Sequence, residues 1–143
     1  PAAVTLAGAA AAAGFFTLLY GGAWNDALVA APVGALLSRL TRILSRHGIS
    51  DFFTNITGGA LAALACLAAG LAGWASGPDT AIIGSIMLLV PGVAITSAIR
   101  DTIAGDLVAG VARGADAFIS AAGISIGAGA AFGLWRLAGL GAL

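Results

Sequence analysis

Three ionisable residues, Asp106, Arg113 and Asp116, recur at helical spacing in the apolar second half of the chain. On a helix, Asp106, Gly110 and Arg113 fall at i, i+4 and i+7, so one face presents a carboxylate, a gap and a guanidinium, with Asp116 one turn beyond. Such a face can hold a charge pair, a small zwitterion or a carboxylate. Ionisable groups in or beside a membrane span are costly and mark substrate or ion pathways, so we predict that this face lines a permeation path.

The three groups have different predicted roles on that path. Arg113 is predicted to hold a substrate carboxylate, because a guanidinium only donates hydrogen bonds. Asp116 or Asp106 is predicted to bind a substrate amine or to carry a coupled proton.

An apolar run is interrupted by Pro91-Gly92 and followed one turn later by Thr96 and Ser97. Pro91 removes a backbone donor and Gly92 loosens the chain, so this segment is predicted to break partway through the bilayer. Broken helices in transporters leave backbone groups and helix ends free to face a polar substrate at mid-depth. We therefore add these four residues to the predicted substrate path.

Arg100 and Asp101 allow two interpretations. In one, they form a gating or cytoplasmic charge pair beside the path. In the other, they belong with Asp106 to a cytoplasmic loop, and Arg113 snorkels from the end of the next helix. The sequence leaves both open.

The sequence offers no residues for catalysis, metal binding or a cofactor. Residues 123–127 match the G-x-S-x-G nucleophile elbow, but they lie inside an apolar segment, where Ser125 is predicted to pack. The one histidine, His47, belongs to an arginine cluster, and no group of Cys, His or Glu has metal-ligand spacing. We predict that the protein is not an enzyme.

The composition is that of a membrane protein. Of 143 residues, 60% are hydrophobic and 8% are charged, and the mean hydropathy is +1.06. Six basic residues balance six acidic ones, so there is no basic surface for a nucleic-acid partner. The lipid bilayer is the first predicted partner.

Apolar runs of about 20 residues predict an all-α, polytopic membrane protein with five transmembrane helices, the fourth broken at Pro91-Gly92. The second segment ends in a stretch of arginines at helical spacing, which we expect to lie against the headgroups. The predicted segments are 2–20, 26–47, 52–74, 80–99 and 115–135.

Two signals predict the orientation of these segments, because arginine favours cytoplasmic loops and tryptophan favours membrane interfaces. If the segments alternate in direction, the tryptophans at 24, 74 and 135 share one side, and the arginines at 39, 42, 46 and 100 share the other. The start of the chain is then cytoplasmic and its end lies outside the plasma membrane. Arg136 alone disagrees.

Glycine pairs four residues apart predict close helix packing, because small residues let helix backbones approach one another in lipid. The pairs are Gly110/Gly114, Gly123/Gly127 and Gly129/Gly133.

The stretch from Pro91 to Asp116 resembles the threonine/serine exporter family of bacterial and fungal membrane proteins. The chain departs from the family pattern at Ser97, where an Asn is usual, and at Asp116, where a Glu is usual. The residues that carry the resemblance are Pro91-Gly92, Thr96-Ser97-Ala98-Ile99-Arg100-Asp101, Gly105-Asp106, Gly110, Arg113 and Asp116.

The resemblance implies that residues 1–143 are one transmembrane domain, the first membrane half of a longer protein without its soluble amino-terminal domain and second membrane half. It implies proton-driven export of small amino acids such as threonine and serine, or of dicarboxylates such as succinate. It further implies pairing with the second half, on the same chain or as a partner subunit, and an oligomeric assembly. The alternative is a structural or assembly subunit with no permeation path of its own.

Overall fold

The computed structural model describes residues 2–140, which form six helices and no strand. The predicted all-α class is confirmed, and four helices (α1, α2, α3 and α6) are long and apolar enough to cross a membrane. Residues 1 and 141–143, at the ends of the predicted domain, lie outside the described residues. The helices are α1 (Ala2–Leu19), α2 (Trp24–Arg46), α3 (Asp51–Leu71), α4 (Pro78–Ile86), α5 (Gly92–Ile103) and α6 (Leu107–Leu137).

The fourth predicted segment is broken, and its two parts are the separate helices α4 and α5. α4 ends at Ile86, and α5 begins at Gly92. Between them, the backbone N–H groups of Leu88 and Leu89 donate to carbonyls three residues earlier instead of four. Pro91 has no N–H and disfavours helical backbone at the residue before it, which explains why α4 ends ahead of the proline.

The break lies near mid-depth in the bundle. α4 has nine residues and is therefore about 14 Å long, roughly half the thickness of the hydrocarbon core. Leu88 and Leu89 pack against glycines in the middle parts of α2 and α3. A Cβ atom added to Gly34 would lie 3.0 Å from Leu88 Cδ1, and one added to Gly58 would lie 2.8 Å from Leu89 Cδ1.

α5 leaves the bundle and packs against the first turns of α6 as an antiparallel hairpin. Ala98 of α5 lies against two glycines of α6: a Cβ added to Gly110 would be 3.1 Å from the Ala98 carbonyl oxygen, and one added to Gly114 would be 3.9 Å from Ala98 Cβ. α6 has 31 residues and is about 46 Å long, against about 30 Å of hydrocarbon. It begins at Leu107, eight residues before the predicted fifth segment, and its first turns extend beyond the bundle.

α3 and α6 run parallel and pack through glycines. A Cβ added to Gly123 would lie 2.9 Å from the Phe52 carbonyl oxygen, and one added to Gly127 would overlap the Ile56 carbonyl. The backbones therefore touch, as the Gly123/Gly127 spacing predicts. The Gly129/Gly133 pair differs, because nothing in the described chain lies within 4 Å of a Cβ at either position.

Valine at Gly127 is expected to force α3 and α6 apart. The contact is with backbone, which cannot rotate away, so Gly127→Val should cost about 2–3 kcal/mol and lower the melting temperature by about 5–10 °C. Gly129→Val is the matched control on the same helix, because it meets open space. Thermal unfolding in detergent, followed by tryptophan fluorescence, measures both. Equal melting temperatures would contradict the parallel packing.

The helix ends separate the tryptophans from Arg39, Arg42 and Arg46, as predicted. We call one end the tryptophan end. There the start of α2 contacts the α3–α4 connection, since the Asp26 carboxylate accepts a 2.7 Å hydrogen bond from the Ser76 N–H. The end of α6 joins it, because Trp135 and Ser76 line the same hollow. The tryptophan end carries Trp24, Trp74 and Trp135. The opposite end, the arginine end, carries Arg39, Arg42 and Arg46, beside the start of α1. Arg136 lies at the tryptophan end, and Arg100 lies on α5, outside the bundle. Which end faces the cytoplasm stays a prediction.

Candidate functional site

A cleft of about 530 Å³ opens at the arginine end, between α2, α3 and α6. The α4–α5 break also borders it, through Leu88, Leu89 and Pro91. The cleft therefore extends from the arginine end towards the level at which the backbone leaves the helical pattern. We call it the arginine-end cleft.

Polar side chains reach this cleft as stripes on three helices. On each helix the cleft-lining polar residues are three, four or seven positions apart. Residues with this spacing lie on one side of a helix. The rest of each helix is largely apolar, so each stripe faces the cleft and leaves the remaining surface for lipid or for packing. The stripes are Ser38, Thr41, Arg42 and Ser45 on α2, Asp51, Thr54 and Asn55 on α3, and Asp116 and Ser120 on α6.

Three ionisable residues line the cleft: Arg42, Asp51 and Asp116. None of them forms an ion pair within residues 2–140, where the one ion pair joins Arg113 to Asp101. A free guanidinium can donate paired hydrogen bonds to a carboxylate, and a free carboxylate can accept hydrogen bonds from an ammonium group. The cleft can therefore bind a small ligand that carries both charges.

Neutral polar groups lie deeper in the same cleft. Thr54, Asn55 and Ser120 are only 6%, 9% and 7% exposed. Thr54 Oγ1 is buried without a hydrogen-bond partner in the described part of the chain. These groups can bind a further polar atom of a ligand.

Two of the predicted path residues, Pro91 and Asp116, line the cleft. Asp106 and Arg113 do not. Asp106 is the N-cap of α6, where its carboxylate accepts a 3.1 Å hydrogen bond from the Ala109 N–H. Arg113 Nε lies 3.2 Å from Asp101 Oδ2, an ionic contact without hydrogen-bond alignment. The structure therefore does not bring Asp106, Arg113 and Asp116 together, and the predicted role of Arg113 stays a prediction.

The remaining predicted residues lie on α5, outside the cleft lining. Gly92 begins α5, and Thr96 Oγ1 donates to the Gly92 carbonyl at 2.9 Å. Ser97 is half-buried and Arg100 is exposed. Asp101 is paired with α6 through Arg113, so this acid helps to hold the α5–α6 hairpin together.

Sequence reasoning missed Arg42, Thr54 and Asn55 as site residues. From the sequence, Arg42 is expected with its neighbours at the headgroups, and Thr54 and Asn55 lie near the start of a predicted apolar span. The signal that could have found them is the set of polar stripes, since Arg42 follows Ser38 by four residues, and Thr54 and Asn55 follow Asp51 by three and four.

Asp26 at the tryptophan end was also missed, and it is one of the most buried charged groups, 2% exposed. Its carboxylate accepts backbone hydrogen bonds from Ala23 (2.8 Å), Ser76 (2.7 Å) and Gly77 (2.8 Å). The Thr80 hydroxyl lies 3.4 Å from the same carboxylate. Asp26 thus ties the start of α2 to the α3–α4 connection, at the end opposite the cleft.

Comparison with known proteins gives a consistent result. The family model for threonine/serine exporters (ThrE) matches residues 1–135. A "Probable threonine/serine exporter" of Mycobacterium tuberculosis (strain ATCC 25618 / H37Rv) is 32% identical over 121 residues, which cover 82% of this chain and 23% of that protein. A "Threonine/serine exporter" of Corynebacterium glutamicum is 32% identical over 130 residues, which cover 88% of this chain and 27% of that protein. The chain spans about a quarter of the length of these relatives. No solved structure matches it.

Proposed function

Because the chain belongs to the threonine/serine exporter family, we propose that it forms one membrane half of a secondary transporter that exports threonine, serine or a similar small amino acid. The chain is a multi-pass membrane protein. In the proposal, the arginine-end cleft is the substrate site. The second half, on the same polypeptide or on a partner subunit, completes the path.

The observation that carries this proposal is the set of unpaired charges in the cleft. An amino-acid zwitterion carries one carboxylate and one ammonium group, which match Arg42 and one of the two acids, Asp116 or Asp51. A dicarboxylate such as succinate would place two negative charges beside two carboxylates and a single guanidinium. Like charges close together are unfavourable, so the charge balance favours the zwitterion.

We assign Arg42 to the substrate carboxylate and Asp116 to the substrate ammonium group. We further propose that Asp116 couples export to protons, because one carboxylate can bind either the ammonium group or a proton, but not both. Competition for one group is the simplest basis for antiport: a proton replaces the departing substrate and must leave before the next substrate binds.

The proposed orientation places the arginine end in the cytoplasm of the cell, at the plasma membrane, following the excess of arginine there. The cleft then opens towards the compartment from which an exporter loads its substrate. At the far end, the hydrogen bonds of Asp26 hold the α3–α4 connection against α2.

The alternative function, a structural subunit whose charges only hold helices together, is less consistent with the cleft. Charges that link helices should be paired across them, as Arg113 and Asp101 are between α6 and α5. Arg42, Asp51 and Asp116 lie on three helices, and they form no ion pair within residues 2–140. They are available to a ligand instead.

The test is efflux of labelled threonine from vesicles that contain the complete exporter. Asp116→Asn removes the charge that binds the ammonium group and should lower efflux about 10- to 100-fold, the equivalent of one lost charged hydrogen bond. Asp106→Asn is the matched control, since asparagine is an equally good N-cap and Asp106 lies outside the cleft. It should change efflux by less than about twofold. Equal efflux by wild type and Asp116→Asn would exclude the proposed site, and export of succinate in place of threonine would exclude the substrate class.

A further inference from the structure

The Thr54 hydroxyl is unusual among the helical threonines of this protein. Its residue is 6% exposed, and Oγ1 has no hydrogen-bond partner in residues 2–140. Buried polar groups in native proteins are almost always paired, so an exception calls for an explanation. Thr54 lines the arginine-end cleft, where a substrate can supply the missing hydrogen-bond partner.

Other helical threonines of the protein satisfy their hydroxyl groups within their own helix. Thr17, Thr57 and Thr102 each donate at 2.8 Å to the carbonyl four residues earlier. In contrast, the carbonyl four residues before Thr54, that of Ser50, accepts only the Thr54 backbone N–H, at 3.0 Å. The free hydroxyl therefore does not follow from residue type or from helical position alone.

The proposed substrate has one polar group that the charged residues leave unbound. Arg42 and Asp116 are assigned to the carboxylate and the ammonium group, and the side-chain hydroxyl of threonine or serine remains. A hydroxyl both donates and accepts, so two hydroxyl groups can pair with each other. A site whose buried polar group hydrogen-bonds a substrate hydroxyl disfavours analogues without that hydroxyl, because the protein group is then left without a partner.

We infer that Thr54 is the residue that recognises the substrate hydroxyl, and that it distinguishes threonine from valine, which has nearly the same shape. This inference rests on the proposed function. The inference gives the proposed function a physical reason to prefer hydroxylated amino acids. Thr54 is a specificity residue: Arg42 and Asp116 bind any small zwitterion, and Thr54 selects among them.

The experiment measures efflux of threonine and valine together, from vesicles loaded with equal amounts of both and containing the complete exporter. The ratio of the two rates does not depend on how much folded protein each sample contains. Wild type is expected to prefer threonine. Thr54→Val, which replaces the hydroxyl with a methyl group, should lower that preference by about fivefold to tenfold, the equivalent of one neutral hydrogen bond.

Two further variants separate hydroxyl recognition from packing. Thr54→Ser keeps the hydroxyl and should keep the preference for threonine. Thr57→Val is the matched control one turn along α3: Thr57 is exposed, lies outside the cleft lining and pairs with the Phe53 carbonyl. It should leave the ratio unchanged. Thr54→Val should also melt at or above the wild-type temperature, because it removes an unpaired buried hydroxyl and fills the same volume.

Each outcome supports or overturns a distinct statement. If wild type exports threonine in preference to valine, and Thr54→Val retains the full preference, the inference is wrong and the proposed function stands. If Thr54→Ser loses as much preference as Thr54→Val, packing rather than the hydroxyl sets the selectivity, and the inference is also wrong. If wild type exports neither amino acid, the proposed function itself fails.

Discussion

Replacing Arg42 with glutamine is expected to reduce threonine export about 10- to 100-fold, because the substrate carboxylate loses its charged hydrogen-bond donor. The same change at Arg113 is expected to reduce export by less than about threefold, the effect of one surface ion pair. The side chain of Arg113 is 55% exposed and is held by Asp101 outside the cleft lining. Efflux of labelled threonine from vesicles measures both variants under the same conditions.

The pair Arg42→Gln and Arg113→Gln is well matched, since each removes one of six arginines and leaves the same net charge. Protein amount and melting temperature should be recorded for both, so that loss of folded protein is not read as loss of transport. A large loss in Arg113→Gln together with near-normal export in Arg42→Gln would reverse the assignment. That result would support the carboxylate-binding role predicted for Arg113 from the sequence.

Asp26→Ala is expected to destabilise the protein by about 3 kcal/mol, because it leaves three backbone N–H groups without their acceptor at about 1 kcal/mol each. Those groups belong to Ala23, Ser76 and Gly77. Thermal unfolding in detergent should show a melting temperature lower by roughly 6–12 °C. Asp26→Asn keeps one acceptor oxygen, so its melting temperature should lie between those of Asp26→Ala and wild type.

Asp79→Ala is the control for Asp26→Ala at the same end of the bundle. Asp79 is exposed in the first turn of α4, where a surface change of this kind usually costs within about 0.5 kcal/mol. If Asp26→Ala and Asp79→Ala melt at the same temperature, the hydrogen bonds of Asp26 do not stabilise the contact between α2 and the α3–α4 connection.

The helices were predictable because each follows from local chemistry. Runs of about 20 apolar residues have to form helices in lipid, and Pro91 followed by Gly92 favours a break in its own segment, whereas Pro32 lies inside α2 without ending it. The close contact at Gly127 was predictable for the same reason, since small residues four apart form one stripe. The open space at Gly129 was not predictable, because glycine spacing alone does not show which side of a helix packs against another helix.

The site was predicted only in part, because residues on one helix were assumed to face one cavity. Asp106 and Asp116 are ten residues apart, which separates them by about 15 Å along α6. Arg113 and Asp116 lie one turn apart on α6, but Arg113 contacts Asp101 of α5 and Asp116 lines the cleft. Arg113 faces α5, which folds back against α6 as a hairpin, and Asp116 faces the cleft beside α3. Both outcomes depend on where α5 goes after Pro91, and no local pattern determines that.

Arg42 was overlooked for a related reason. Arginines at a helix end usually lie against headgroups, and Arg39, Arg42 and Arg46 share that pattern. Arg42 differs from the other two because it also lies on the stripe with Ser38 and Ser45, which lines the cleft beside α3. Whether a charged residue lines a site or faces the headgroups can be decided only once the positions of the neighbouring helices are known.

The most direct test of the central claim, that an amino acid binds in the arginine-end cleft, is the reactivity of a thiol placed there. Ser38→Cys puts a thiol on the α2 stripe, and the natural Cys66 is fully buried. Ala104→Cys, on the exposed α5–α6 turn, is the control. With the complete exporter in vesicles, threonine at a concentration that saturates export should slow modification by a water-soluble thiol reagent several-fold in Ser38→Cys and leave Ala104→Cys unchanged. Equal rates with and without threonine in Ser38→Cys would contradict binding in this cleft.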